Sequence, residues 1–266
     1  MLKQLTRELP QNKLREVAEL ADAHCHHEAI DTESLKQAAA CGIKTIVVNG
    51  VDAVSNIKAL ALSDNRQVFA AMGLHPNNLQ GMKESEIIYI TRMIRENSDK
   101  IIAIGEIGLD FKFAIESGKQ KRQIGVFESM LDLAVELDLP VSIHARKALK
   151  EVLDILSDRH LKRAHLHFFD GNTEIAKRIA ALGYMVSIAP FEFEKSVKSI
   201  THIHVDNIMA ETDAPSANAR LIDLEKAVGI VARIKGMDYN KIATMLTNNT
   251  KRFFNTYRLN IMRKGP

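Results

Sequence analysis

The sequence predicts an α/β barrel of the TIM (β/α)8 class, parallel strands inside and helices outside, on three observations. Short apolar runs rich in β-branched residues alternate with amphipathic stretches along the whole chain, the pattern of strands and crossover helices in a parallel sheet. Eight such runs occur, a number that favours closure into a barrel. Neither G-x-G-x-x-G nor G-x-x-x-x-G-K-[ST] is present, so the phosphate-cradling loops of common open sheets are missing.

In chain order, the runs place strands near 20–26, 44–49, 68–74, 101–106, 140–144, 164–167, 184–188 and 207–211. Runs such as KTIVVN, IIAIGE and LPVSIH suit strands covered on their outer face by helices. An amphipathic helix is expected over 1–18, ahead of the first strand and packed across the N-terminal end of the barrel. A helix from Glu33 to Cys41 stops at Gly42, a natural left-handed cap, and one from Ile175 to Leu182 stops at Gly183 in the same way. The longest helix, about Lys119 to Leu137, carries Phe127, Met130, Leu131 and Ala134 on one stripe, and Pro140 prevents its continuation. Beyond about 217, LIDLEKAVGIVARIKG and NKIATMLTNNTKRFFN read as outer helices.

The 266 residues fit one barrel domain spanning 1–266, since such barrels take roughly 250 residues. Hydrophobic residues make up 46%, enough for a sizeable core without staples. The two cysteines, Cys25 and Cys41, lack C-x-x-C spacing, so neither a disulfide framework nor a thiolate zinc site is indicated, and a cytoplasmic location is expected. The N-terminus is too polar for a signal peptide, and no run of the roughly 18 apolar residues needed to span a bilayer occurs. A net charge of +3 does not by itself announce a nucleic-acid binder. Oligomeric state is not encoded in any feature of the sequence.

The chemistry lies where the strands end. They run into Asp22-Ala23-His24-Cys25-His26, Gly73-Leu74-His75-Pro76, Gly105-Glu106-Ile107-Gly108-Leu109-Asp110, Ile143-His144-Ala145-Arg146, Leu166-His167 and Glu211-Thr212-Asp213-Ala214-Pro215. In a barrel these ends converge on the C-terminal face, where barrel enzymes keep their sites. The period of two along a strand points His24 and His26 into the mouth and turns Cys25 outward. An H-x-H pair alone is a weak metal signal. Two further histidines and two carboxylates at other strand ends strengthen it, because such a cluster carries large desolvation and like-charge costs that divalent cations offset. Mixed imidazole and carboxylate ligation suits zinc, manganese, nickel or iron.

The segments DAHCHH, GLHP, IGEIGLDF, LPVSIHAR, HFFDG and ETDAP, in that order, resemble the TatD family of metal-dependent hydrolases and deoxyribonucleases, within the amidohydrolase superfamily. The resemblance covers roughly 20–256. It implies two divalent ions, with zinc, manganese, magnesium or nickel as candidates, and a substrate of DNA ends or another phosphoester. By the same resemblance His24, His26 and Asp213 hold one ion, His144 and His167 hold the second, and Glu106 bridges them. Asp213 is then the natural general base, touching the same water as the metal. His75 is assigned to the substrate phosphate or its surroundings. Arg146 can contact a phosphate through its forked guanidinium, or pair with a nearby carboxylate.

Glu211, two residues before Asp213, is either the group that orients a ligand histidine or a buried structural acid. Asp110 is expected to fix the loop after Glu106. His27, His160, His165, His202 and His204 read as surface or packing residues, although His165-x-His167 forms a second H-x-H. Phe191 and Phe193, flanking Glu192, can stack on bases, with packing at a helix start the favoured role. The chain departs from the family pattern at Phe168-Phe169-Asp170, at Ser216-Ala217-Asn218-Ala219-Arg220 and at Lys112-Phe113, all loops over the mouth that set substrate choice. Two other readings stand beside the nuclease: a metal-dependent ester or amide hydrolase of the same superfamily, and a non-catalytic metal-binding scaffold.

Overall fold

The computed structural model describes residues 18–191 and 194–257. One parallel sheet holds eight strands in chain order: β1 (Leu20–Cys25), β2 (Ile43–Asn49), β3 (Val68–Met72), β4 (Ala103–Asp110), β5 (Val141–Arg146), β6 (Ala164–Leu166), β7 (Met185–Ile188) and β8 (Ile208–Ala210). The sheet curls into a nearly closed barrel whose last seam is made just beyond β8. There Asp213 N donates to His24 O at 2.9 Å and His26 N to Ala214 O at 2.8 Å. Below them the buried Asp22 carboxylate accepts from the backbone N–H of Thr212 at 2.9 Å and from its hydroxyl at 2.6 Å. Burial pushes the Asp22 carboxyl up to about 7 despite these bonds.

The helices are α1 (Thr32–Ala40), α2 (Ala53–Leu62), α3 (Glu84–Glu96), α4 (Ser117–Glu136), α5 (Leu149–Asp158), α6 (Thr173–Leu182), α7 (Glu194–Ile200), α8 (Leu224–Lys235) and α9 (Tyr239–Phe254). Short side chains start several of them. Asp31 and Asp52 accept from the backbone of Ser34 and Ser55 at α1 and α2, and Asn172 accepts from Ile175 N at α6. Gly42 follows α1 with φ 80° and Gly183 ends α6 with φ 71°, the left-handed conformation expected of both. The stripe foreseen on α4 is buried: Phe127, Met130, Leu131 and Ala134 all face the core.

Two apolar bodies hold the barrel. The larger lies between sheet and helices and includes Ile46, Val48, Ile104, Ile107, Val141, Ile143, Leu166, Val186 and Ile188. The smaller fills the barrel floor with Ala23, Val47, Phe69, Ala71, Ala103, Met185 and Met209, and Phe254 from α9 completes it. Strand residues therefore alternate between the two bodies, and the inward-facing set turns polar only towards the C-terminal mouth.

The strand ends differ from expectation in ways that matter for the mouth. β4 runs on to Asp110 and β5 to Arg146, because Ile107 to Asp110 pair with Ile143 to Arg146. Glu106 is thus a mid-strand residue. Register also shifts near the mouth, between Asp22 and Cys25 and between Ile104 and Ile107, besides a shift between Leu20 and Ala21 at the start of β1. The first two are irregularities of the kind that re-aim a side chain, and they fall at residues that face the mouth, His24 and Glu106. Apart from its last residue, the helix expected over 1–18 lies outside the described residues. Among the described residues no helix is long and apolar enough to cross a membrane. Cys25 and Cys41 are both free thiols.

Candidate metal centre and active site

His24, His26, Glu106, His144, His167 and Asp213 meet at the C-terminal mouth, as their positions at strand ends required. Glu106 stands at the middle. Its Oε2 faces His24 Nε2 at 3.5 Å and His26 Nε2 at 3.6 Å, while its Oε1 faces His144 Nδ1 at 3.0 Å and His167 Nε2 at 2.9 Å. Asp213 Oδ1 lies 3.3 Å from His26 Nε2 and 3.8 Å from His24 Nε2. Asp213 holds a left-handed backbone, φ 52°, which turns its carboxylate back over β1. Two glycines allow the crowding. A Cβ on Gly108 (φ 140°) would sit 2.0 Å from His144 O, and one on Gly73 would sit 2.5 Å from Glu106 O.

Each of the four central imidazoles turns one nitrogen to the cluster and the other to an acceptor. His26 Nδ1 lies 3.2 Å from Asn49 O, His24 Nδ1 lies 3.2 Å from Ser142 Oγ, and His144 Nε2 lies 3.2 Å from Asp110 Oδ2. His167 Nδ1 faces Glu211 Oε1 at 3.6 Å. Outer acceptors of this kind leave the inward nitrogen with a free lone pair, which is the arrangement a metal ligand needs. His75 is wired the opposite way. Its Nδ1 accepts the backbone N–H of Asn77 at 3.2 Å, so the neutral ring carries its proton on Nε2, 3.2 Å from Glu106 Oε1. His75, Glu106 and His144 offer atoms close enough to surround an ion. The bond to Asn77 N–H nevertheless makes His75 a donor and not a ligand.

Electrostatics shows what the cluster does with its charge. Burial works against the charge on Glu106, but His75, His167 and the hydrogen bonds of His144 and His167 hold its carboxyl well below the usual range. Burial also opposes a charge on His26, yet Asp213 and Glu106 carry its pKa up to about 9. His24 moves the other way, lowered by burial and by the charge of His167. Protons on some imidazoles thus balance the carboxylates, and His24 Nε2 and Asp213 Oδ1 remain buried with no hydrogen-bond partner. A buried polar atom left unpaired costs about 1–3 kcal/mol. A divalent cation at these two atoms satisfies both, so the donor set fits the metal that its chemistry suggests.

The remaining predicted residues divide. Glu211 is fully buried and accepts from Phe168 N at 2.6 Å and from Ser187 Oγ at 2.5 Å. Arg146 sits exposed at the rim, its guanidinium 5.6 Å over the Phe113 ring rather than on a carboxylate. Phe191 packs against Phe168 with ring centroids 5.9 Å apart, whereas Glu192 and Phe193 lie outside the described residues. Asp110 does more than fix its loop, although it does accept from the backbone of Lys112 and Phe113. It also binds the His144 ring and takes a bond from Asn77 Nδ2 at 2.9 Å, and these hold its carboxyl at about 2 against the effect of burial. Sequence reasoning missed Ser142, Ser187 and Asn49. The only sequence signal was spacing, since Ser142 lies two residues before His144 on the same strand face.

The class these features define is a metal-dependent hydrolase, and comparison with known proteins says the same. The family model described as TatD related DNase matches residues 21–255. The chain is 28% identical over 258 residues to YjjV of Escherichia coli, a metal-dependent hydrolase, covering 90% of this chain and 99% of that one. It is 26% identical to the human deoxyribonuclease TATDN3, with 88% of this chain and 94% of the relative covered. It is 27% identical to the 3'-5' ssDNA/RNA exonuclease TatD of Erwinia tasmaniensis, with 83% and 92% covered. The crystal structure of YjjV superposes with a TM-score of 0.81 at 27% identity, over 90% of this chain and 99% of the other. This chain belongs to the TatD family.

Proposed function

We propose that the chain is a phosphodiesterase of the deoxyribonuclease type, acting on DNA ends through a water activated by two divalent ions. One observation carries the reading: the two oxygens of Glu106 are divided between two imidazole pairs, Oε2 towards His24 and His26 and Oε1 towards His144 and His167. A carboxylate placed this way would help to hold two ions, the first with His24, His26 and Asp213 and the second with His144 and His167. Zinc, manganese, magnesium or nickel each fit part of this donor set. Two bound ions supply a water of lowered pKa and stabilise the attacking and leaving oxygens of a phosphoryl displacement.

The residues of the chain do the rest. Asp213 closes the first site, and its carboxylate takes the proton of the attacking water as general base. His75 offers its Nε2–H to a phosphate oxygen, with Asn77 keeping the ring in that tautomer. Asp110 holds His144 in place from outside, and Glu211 stands 3.6 Å behind His167 Nδ1. Beside His75 a cavity of about 460 Å³ opens, lined by Pro76, Asn77, Leu79, Phe113, Arg122 and Gln123. Phe113 is 59% exposed and carries both Arg146 and Lys112 near its ring face, so one wall offers a stacking surface and positive charge together. That combination suits a single nucleic-acid strand, whose bases stack and whose phosphates pair with cations. The relatives named as nucleases point the same way, and the free thiols agree with a cytoplasmic setting.

Elemental analysis of the purified protein tests the metal centre. With the metal so identified, bis(p-nitrophenyl) phosphate, p-nitrophenyl acetate and end-labelled single-stranded DNA test the bond. Turnover of both phosphodiesters is expected. Hydrolysis of the carboxylic ester alone would move the chain to the ester and amide hydrolases of its superfamily.

A further inference from the structure

We propose that His165 is a positioning residue, which holds the lone pair of His24 towards the first ion site through a one-way hydrogen-bond relay that ends on Glu211. The proposal rests on the metal-centre reading above and adds to it a group two residues away from a ligand, in a second H-x-H. His165 is fully buried, one inward step below the mouth, and its ring stands edge-on over the floor residues Phe253 and Phe254 at 6.1 and 5.8 Å. Packing alone explains a ring there. It does not explain why both nitrogens are engaged. Nδ1 lies 3.2 Å from Ser142 Oγ, and Nε2 lies 2.7 Å from Ser187 Oγ. Ser142 Oγ is also 3.2 Å from His24 Nδ1, and Ser187 Oγ donates to Glu211 Oε2 at 2.5 Å.

The donors in this chain can be assigned from one end. A serine hydroxyl has a single proton, and that of Ser187 goes to Glu211. Ser187 Oγ must therefore accept from His165 Nε2–H. With its proton placed on Nε2 towards Ser187, the ring presents Nδ1 as an acceptor, and Nδ1 takes the single proton of Ser142. Ser142 Oγ in turn accepts from His24 Nδ1–H. His24 is left with its lone pair on Nε2, the atom that faces Glu106 and Asp213 and has no hydrogen-bond partner. The same Glu211 stands 3.6 Å from His167 Nδ1 through its other oxygen. The buried carboxylate of Glu211 thereby orients His24 through three intervening side chains, while its other oxygen stands behind His167 without a hydrogen bond to it.

The test uses His165→Phe, which keeps the aromatic contact with the floor, Ser142→Ala, and the two combined in the full chain. Chelator-competition titration with zinc reads affinity, and 15N imidazole spectra of the metal-free protein read the tautomer of His24. Groups that orient metal ligands typically cost about 10–100-fold in affinity when removed, and each single variant is expected to lose that much. The double variant should lose no more than the worse single one, because both cut the same chain. In the metal-free wild type the proton of the neutral His24 ring should sit on Nδ1, and Ser142→Ala should shift it. Unchanged zinc affinity in a folded single variant, additive losses in the double variant, or a wild-type His24 protonated on Nε2 would each overturn the relay. If His165→Phe fails to fold, Ser142→Ala and the spectra decide alone. A wild type that binds no divalent ion instead overturns the metal-centre reading, and the spectra still decide the relay.

Discussion

Two polar layers lie one above the other inside the barrel, and they behave in opposite ways. The upper layer, at the mouth, holds His24, His26, Glu106, His144, His167 and Asp213, and it leaves buried atoms without partners, among them His24 Nε2 and Asp213 Oδ1. The lower layer holds Ser142, His165, Ser187 and Glu211, and among the described residues none of its buried polar atoms lacks a partner. Three of the lower residues stand two positions before an upper one on the same strand course: Ser142 before His144, His165 before His167, Glu211 before Asp213. The pairing teaches that the same residue type serves different ends at successive inward positions. His165 spends both nitrogens on neighbours, while His167 keeps one for the cluster. Incompleteness in a buried layer is what marks the place of a ligand.

Substitution in the upper layer should cost the most. Glu106→Ala is expected to lose both ions and at least about 1000-fold in phosphodiester turnover, since a shared ligand serves both metals at once. Full activity with two metals retained, by kinetics and elemental analysis, would break the contrast at its centre. Asp213→Asn keeps a ligand oxygen but no base, so turnover should fall about 100- to 10,000-fold while some metal stays bound. A near wild-type rate would remove Asp213 as the base.

Proton competition is the next effect. Metal binding needs neutral imidazole, and Asp213 and Glu106 raise the His26 pKa to about 9 against burial. Below that pH an ion must displace the proton, so apparent affinity should rise by about tenfold per pH unit per proton released as pH climbs towards 9. Calorimetry in buffers of different ionisation heat would count the protons, and an affinity that falls over this range would contradict the reading.

The lower layer should answer in stability as well as in affinity. Glu211→Ala leaves Phe168 N–H and the Ser187 hydroxyl without their acceptor, a loss of roughly 2–4 kcal/mol on denaturant unfolding. A loss confined to metal affinity, with unfolding unchanged, would erase the distinction between the layers. Gly183→Ala, remote from both, provides the control. Its φ of 71° is costly for alanine, so about 1 kcal/mol of stability should go while metal content stays fixed.

Much of this was legible before any coordinates. The eight strands, the caps at Gly42 and Gly183 and the buried stripe of α4 follow from local rules: apolar period, left-handed glycine, helix-stopping proline. The six residues of the upper layer were also visible, since each lies at or just past the end of an apolar run, and the family motifs put them in order. Other features needed contacts between residues far apart in sequence. The extension of β4 to Asp110 depends on pairing with β5, and the second task of Asp110 depends on a ring presented by that strand. From sequence Arg146 was open to a carboxylate or a phosphate, and folding set it over Phe113 instead.

What the order of residues decided, then, was which elements form and which side chains reach the mouth, because periodicity and turn chemistry act over a few neighbouring positions. What folding in three dimensions decided was the wiring. Which nitrogen of each imidazole points inward depends on acceptors such as Asn49 O, Ser142 and Asp110. Those acceptors come from other strands, and hydrogen bonds between them have no signature in a linear chain.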